Sequence, residues 1–135
     1  MSRVLIFGTF DELHPGHLAM LQEAREHGDH LIAAIARDRH VRETKERAPK
    51  FNEQERLQIV AEHPLVDEVA LCDRQKGSFK IIGETEPDVI ALGYDQDELY
   101  QSLKLWLSKT DNRKIQLVRL QPFQPDKYKT SYVRH

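Results

Sequence analysis

The chain has 135 residues, a formal net charge of −2 and one cysteine. This length suits one domain with a buried core, spanning residues 1–135, and the near-neutral charge excludes a general affinity for nucleic acid or anionic membranes. The single cysteine excludes a disulfide framework within the chain, and no apolar run approaches the roughly 20 residues of a membrane-spanning helix. Because the start, Met1-Ser2-Arg3, leads into an apolar run without a signal-peptide pattern, we expect a cytoplasmic protein.

Apolar runs and amphipathic stretches alternate along the sequence. Strands are predicted at 4–7, 31–36, 66–71, 88–92 and 115–120. Helices are predicted at 17–26, 52–62, 79–84 and 97–107. The charged stretch 37–50 is assigned to neither. Strands separated by helices indicate right-handed crossovers, so we expect an α/β fold: a single Rossmann-like domain whose five-stranded parallel sheet carries helices on both faces.

The most informative segment joins the first strand to the first helix and reads GTFDELHPGH, residues 8–17. In an open parallel sheet, ligands bind beyond the carboxyl ends of the strands, and a helix N-terminus at that edge attracts phosphate groups. Gly8 lets a ligand approach the backbone closely, and Gly16 leaves space for a phosphate. Thr9 and Phe10 offer backbone N–H groups in the turn.

Two histidines in this segment, His14 and His17, can each donate a hydrogen bond to phosphate oxygens. The alternatives are a helix cap with two incidental histidines, or a metal pair. Zinc takes more ligands than two, and no cysteine–histidine cluster lies nearby in the sequence. The pattern therefore favours a phosphate-binding site.

The motif Gly8-Thr9-Phe10-Asp11 followed by His14-Pro15-Gly16-His17 closely resembles the signature of the cytidylyltransferase-like nucleotidyltransferases. Within that superfamily, segments 36–49, 53–56, 66–67 and 92–96 look most like the archaeal-type FAD synthetases, and heptose-phosphate enzymes share several of these features. The resemblance implies transfer of a nucleoside monophosphate from ATP or CTP to a phosphorylated acceptor, with release of pyrophosphate and with Mg²⁺ bound to the triphosphate.

The motifs favour FMN as the acceptor and ATP as the donor, with glycerol 3-phosphate and sugar phosphates as alternative acceptors. The resemblance also implies a homodimer. The net charge of −2 and the lack of a basic and aromatic stripe in the sequence predict no nucleic-acid or membrane partner. A hypothesis from another class stays open: a nucleotide-binding module that has lost turnover and serves as a sensor or scaffold.

The resemblance assigns catalytic roles to a few side chains. His14 and His17 would bind the triphosphate and stabilise the transition state, and Thr130 would supply a hydroxyl to the phosphates. Lys45 would bridge the acceptor phosphate and the α-phosphate, with Lys50 as its competitor. The whole nucleotide-binding set implied by the resemblance is Gly8, Thr9, Phe10, His14, Gly16, His17, Gly93, Asp95, Thr130 and Ser131.

The acceptor side is assigned in the same way to Asp11, Asp38, Lys45 and Arg56. The alternative for Arg56 is a surface ion pair with Glu53 or Glu55, and the alternative for Asp95 is a helix N-cap.

The C-terminal turn around Thr130 and Ser131 departs from the cytidylyltransferase pattern. An arginine found some five residues before this turn in that group is absent, and Pro125 stands there. A lysine from 127 or 129 can replace its charge without reproducing a bidentate clamp, which weighs against glycerol 3-phosphate as the acceptor.

Overall fold

Helices separate successive strands along the part of the chain that the computed structural model describes, residues 2–11, 13, 15–45, 49–75, 78–110 and 114–120. The strands are β1 (Arg3–Gly8), β2 (His30–Ile35), β3 (Glu68–Leu71), β4 (Val89–Leu92) and β5 (Gln116–Arg119). The helices are α1 (Pro15–Arg25), α2 (Asp38–Lys45), α3 (Glu53–Ala61), α4 (Lys80–Thr85) and α5 (Asp97–Lys109). None of these described helices has the length and apolar character needed to cross a bilayer.

All five strands are parallel and lie in one sheet, in the order β3-β2-β1-β4-β5. The central strand β1 pairs with both neighbours through Leu5, which lies opposite Ile32 of β2 and Ile90 of β4. The chain builds outward from β1 to β3 and then crosses back to β4, so the topological switch point lies between β1 and β4. The predicted five-stranded parallel sheet is confirmed.

The sheet is covered on both faces, as predicted. Alternate residues of β1 point to opposite layers, with Val4 and Ile6 in one and Leu5 and Phe7 in the other. The helix residues buried in the first layer are Leu21 and Ala24 of α1 and Val60 of α3. Those buried in the second layer are Ile81 and Ile82 of α4 and Leu103 of α5.

Helix α2 lies in the charged stretch where the sequence pattern indicates no helix. Among its described side chains only Val41 is buried, so α2 has no apolar periodicity to reveal it. Its start is instead fixed by α3, because the backbone N–H of Asp38 donates to Glu53 Oε1 at 2.9 Å. Because this capping residue is 15 residues away in the sequence, local sequence patterns do not predict where α2 begins.

Candidate active site

The switch point between β1 and β4 is bridged by one amide side chain that sequence reasoning missed. Gln96 Nε2 donates to the carbonyl of Phe7 at 3.0 Å, and its Oε1 accepts from the N–H of Gly93 at 2.7 Å. Gln96 therefore ties the carboxyl ends of the two strands together. The available signal was a polar residue directly before a helix that begins just beyond a strand end.

The turn after β1 contains a strained residue, Phe10. Its φ of 51° lies in the left-handed region, which costs a residue other than glycine about 1–2 kcal/mol. Its ring is fully buried and lies over Gly8, where an added Cβ would stand 2.6 Å from Phe10 Cε2. The structure therefore gives a further reason for glycine at this position, because the Phe10 ring fills the space that a side chain would need; close approach of a ligand to the Gly8 backbone stays a prediction.

The Phe10 ring also contacts His17, in the first turn of α1. The two ring centroids are 5.3 Å apart and the planes are inclined at 54°. Gly16 lies in the same turn, which contains no acidic residue, and the positive end of the helix dipole favours an anion there. The structure thus brings Thr9, Phe10, Gly16 and His17 together at the carboxyl edge of β1.

Arg56 lies in a buried network instead of facing the solvent. Its side chain is 0% exposed and its NH2 group pairs with Asp38 Oδ1 at 2.7 Å. The remaining nitrogens donate to two carbonyls, NH1 to Thr9 at 2.8 Å and Nε to Phe51 at 3.0 Å. The surface ion pair with Glu53 or Glu55 is therefore wrong. Because all three guanidinium nitrogens already bond to the chain, the structure favours a structural role for Arg56 over contact with an acceptor.

Asp11 holds the chain that leads into α3. Its two carboxylate oxygens accept from the backbone N–H groups of Lys50, at 2.8 Å, and Phe51, at 2.9 Å. The ammonium of Lys50 lies 5.6 Å from the centre of the Phe51 ring. Asp11 and Lys50 therefore lie together beside the motif turn, and Arg56 links Asp38 to the same loop through Phe51.

The end of β4 carries Gly93 and Asp95, as expected. A Cβ added to Gly93 would lie 3.2 Å from Asp95 Oδ1, so the glycine keeps this turn tight. Gln96 occupies the N-cap position of α5, and Asp95 is an exposed turn residue before it, so the N-cap alternative for Asp95 is wrong.

Several predicted site residues fall outside the described part of the chain. These are His14, Thr130 and Ser131. Lys45 is described as the last residue of α2, but its side chain is outside that description, so the choice between Lys45 and Lys50 stays a prediction.

Cys72 lies at the carboxyl end of β3 and is not an activated nucleophile. Burial, and secondarily the neighbouring charge of Asp73, raises the pKa of its thiol to about 12. Its backbone carbonyl accepts from Arg37 Nε at 2.6 Å, which links this strand end to the start of α2.

The chain matches the family model described as "Cytidylyltransferase-like" over residues 5–135. It is 37% identical to the FAD synthase of Thermococcus sibiricus over 132 residues, which are 97% of this chain and 88% of the relative. It is 45% identical to the FAD synthase of Archaeoglobus profundus over 96 residues, or 71% of this chain and 60% of the relative.

Among solved structures, the lipopolysaccharide core biosynthesis protein of Thermoplasma volcanium superposes with a TM-score of 0.78 at 35% identity, covering 92% of this chain and 99% of that one. Pantothenate synthetase from Thermus thermophilus superposes with a TM-score of 0.60 at 11% identity, covering 89% of this chain and 55% of that one, which shows a shared fold alone. From the family match and these relatives it follows that the chain belongs to the cytidylyltransferase-like family.

Proposed function

We propose that the chain is an FMN adenylyltransferase, which transfers AMP from ATP to FMN and yields FAD and pyrophosphate. One structural observation carries the proposal: His17 lies in the first turn of α1, beside the turn that follows the central strand. The FAD synthase of Thermococcus sibiricus, aligned with 97% of the chain, supports FMN as the acceptor.

The proposed chemistry is an in-line displacement without a covalent enzyme intermediate. A phosphate oxygen of FMN forms a bond to the α-phosphorus of ATP, and the bond from that phosphorus to the bridging oxygen of the β-phosphate breaks. His17 and His14 donate hydrogen bonds to the triphosphate, and the charge that develops on the leaving pyrophosphate meets the positive end of α1. Catalysis then consists of placing two polyanions and stabilising that charge.

The remaining assignments are part of the same proposal. Thr9 and Phe10 would donate backbone N–H groups, and Thr130 and Ser131 would hold the outer phosphates. Lys45 or Lys50 would bridge acceptor and donor phosphates. Gly93 and Asp95 would border the base and ribose, and Asp11 and Asp38 would border the acceptor.

Magnesium enters the proposal with the triphosphate. Among the described residues, no group of three or more histidine, cysteine, aspartate or glutamate side chains forms a metal site. Mg²⁺ usually keeps several waters and binds substrate phosphates, where it would neutralise part of their charge. A homodimer and a cytoplasmic location stay predictions.

A sugar-phosphate nucleotidyltransferase is the second candidate. The specific observation in its favour is the likeness, at 35% identity, to the lipopolysaccharide core biosynthesis protein of Thermoplasma volcanium. Glycerol-3-phosphate cytidylyltransferase and a module without turnover are further alternatives.

The test is a substrate grid. ATP and CTP, each with Mg²⁺, are crossed with FMN, glycerol 3-phosphate, a heptose 1-phosphate and phosphopantetheine, and pyrophosphate release is measured. We expect release with ATP and FMN, with FAD as the second product. Release only with a sugar phosphate would establish the second candidate. Nucleotide binding by calorimetry without release in any combination would favour the module.

A further inference from the structure

The strained turn at Phe10 is held on one side by α3 and on the other by the segment that leads into it. On one side the carbonyl of Thr9 accepts from Arg56, and on the other side the carboxylate of Asp11 accepts from two backbone N–H groups. A left-handed conformation at a bulky residue persists only where its surroundings over-determine it. The two attachments supply that restraint directly beside Phe10.

The attachment through Arg56 depends on the shape of its guanidinium. One planar group joins three separate points of the chain: Thr9 after β1, Phe51 before α3, and Asp38 at the start of α2. A lysine ammonium carries the same charge but cannot present donors in this fixed fork.

The Asp38 end of this network is itself anchored. Glu53 accepts from the N–H of Asp38 at 2.9 Å and pairs with Arg37 at 3.7 Å. The partner of the Arg56 guanidinium, Asp38, is therefore held in place. The guanidinium in turn holds the carbonyl of Thr9 through its hydrogen bond. Phe10 follows Thr9, and its ring rests against His17.

We propose that Arg56 is a positioning residue: through Thr9 and Phe10 it holds the imidazole of His17 in place, without touching either substrate. The catalytic part of this proposal rests on the proposed function of the site. The structural part, in which Arg56 controls the Phe10 and His17 rings, does not.

The test compares Arg56→Lys with Arg25→Lys. Arg25 is a matched control, because it also joins an aspartate, Asp67 at 2.6 Å, to a carbonyl, that of Leu65 at 3.0 Å. That pair lies where β3 begins, at the opposite edge of the sheet from the motif turn. Asp38→Asn is the second variant, and it keeps an oxygen acceptor for Arg56 if Arg56→Lys does not fold.

Two readouts separate positioning from a general loss of stability. The first is the nuclear Overhauser contact between the Phe10 and His17 rings, measured without nucleotide, together with the backbone carbon shifts of Phe10. The second is the separation of kcat from KM for FAD formation, at a temperature where all variants are folded. We expect Arg56→Lys and Asp38→Asn to weaken the ring contact and to lower kcat about 10- to 100-fold, since small misplacements have large effects on rate. In Arg56→Lys, KM for FMN should change less than about threefold, because the lost interaction serves the transition state.

Arg25→Lys should lower the urea midpoint of unfolding while leaving both the ring contact and kcat unchanged. An unchanged ring contact in Arg56→Lys and Asp38→Asn would overturn the proposal. A raised KM for FMN at constant kcat in Arg56→Lys would also overturn it, by making Arg56 an acceptor ligand. If the wild type forms no FAD, the proposed function fails and the ring contact alone decides the role of Arg56.

Discussion

Phe10 and Phe79 adopt the same unusual conformation in two different parts of the protein. Each has a φ of 51°, each is buried, and each precedes a helix that starts at the carboxyl edge of the sheet. Each ring also meets another aromatic ring. Phe10 contacts His17 at 5.3 Å, whereas Phe79 contacts Trp106 at 5.8 Å in an edge-on arrangement.

The surroundings of the two residues differ in what they leave for a ligand. Beside Phe79, the carboxylate of Asp73 accepts from the backbone of Lys80 and Ile81, so a negative charge already occupies the start of α4. Trp106 packs against the core on the same side. Beside Phe10, the first turn of α1 has no acidic residue and presents an imidazole. Backbone strain therefore does not mark a site by itself, and the partner of the strained residue decides its role.

We expect the largest difference in kcat between substitutions of the two ring partners, His17 and Trp106. His17→Ala should lower kcat by about 10²- to 10³-fold, the usual consequence of losing one preorganised donor to a transition state. Trp106→Leu should lower the free energy of unfolding by about 1–3 kcal/mol while kcat stays within about twofold. Pyrophosphate release and urea unfolding of both variants check this. A folded His17→Ala variant with near-normal kcat would contradict the role of His17.

We expect a smaller difference in kcat between alanine substitutions of two glycines, Gly8 beneath Phe10 and Gly83 in α4. The methyl group of Gly8→Ala would displace the Phe10 ring, because its Cβ would stand 2.6 Å from that ring, and we expect kcat to fall about 10-fold. Gly83 has no atom within 4 Å of an added Cβ, so Gly83→Ala should stabilise α4 by about 0.5–1 kcal/mol without changing kcat. Pyrophosphate release and urea unfolding of both variants check this prediction. Equal kcat values for the two variants would show that the Phe10 ring does not control the site.

The smallest effect concerns pH on the Phe79 side, where Cys72 precedes Asp73. Burial raises the pKa of Cys72 from 9.0 to about 12, so above pH 9 the folded chain binds more protons than the unfolded chain. Stability from this thiol is therefore complete below pH 9 and is lost as the pH rises from 9 toward 12. Urea unfolding of wild type and Cys72→Ala between about pH 8 and about pH 10.5 measures it, since the variant should lose less stability over this range. If the free energy of unfolding falls equally with pH in wild type and Cys72→Ala, groups other than Cys72 cause the loss of stability.

The sequence predicted the fold because its strands are short apolar runs. It also predicted that the candidate segment, residues 8–17, joins the first strand to the first helix, and the structure puts this segment at the carboxyl end of the central strand. It did not reveal the burial of Arg56, since the partners Thr9 and Asp38 are 47 and 18 residues away. Helix α2 was also not predicted, because the side chain that bonds its first N–H group, Glu53, is distant in the sequence. Gly8 was explained by the absence of a side chain, which lets a ligand come close to the backbone. The contact that a Cβ at residue 8 would make with the Phe10 ring is visible only in the three-dimensional structure.

The most direct measurement of the central claim follows the fate of the α-phosphorus of ATP. Wild-type protein is incubated with FMN, Mg²⁺ and ATP that is labelled either at the α- or at the γ-phosphate, and the products are separated. We predict that the α-label appears in FAD and the γ-label in pyrophosphate, with both signals greatly reduced in His17→Ala. Transfer of the γ-label to an acceptor, or label that stays in ATP in the presence of FMN, would contradict the claim that this chain is an FMN adenylyltransferase.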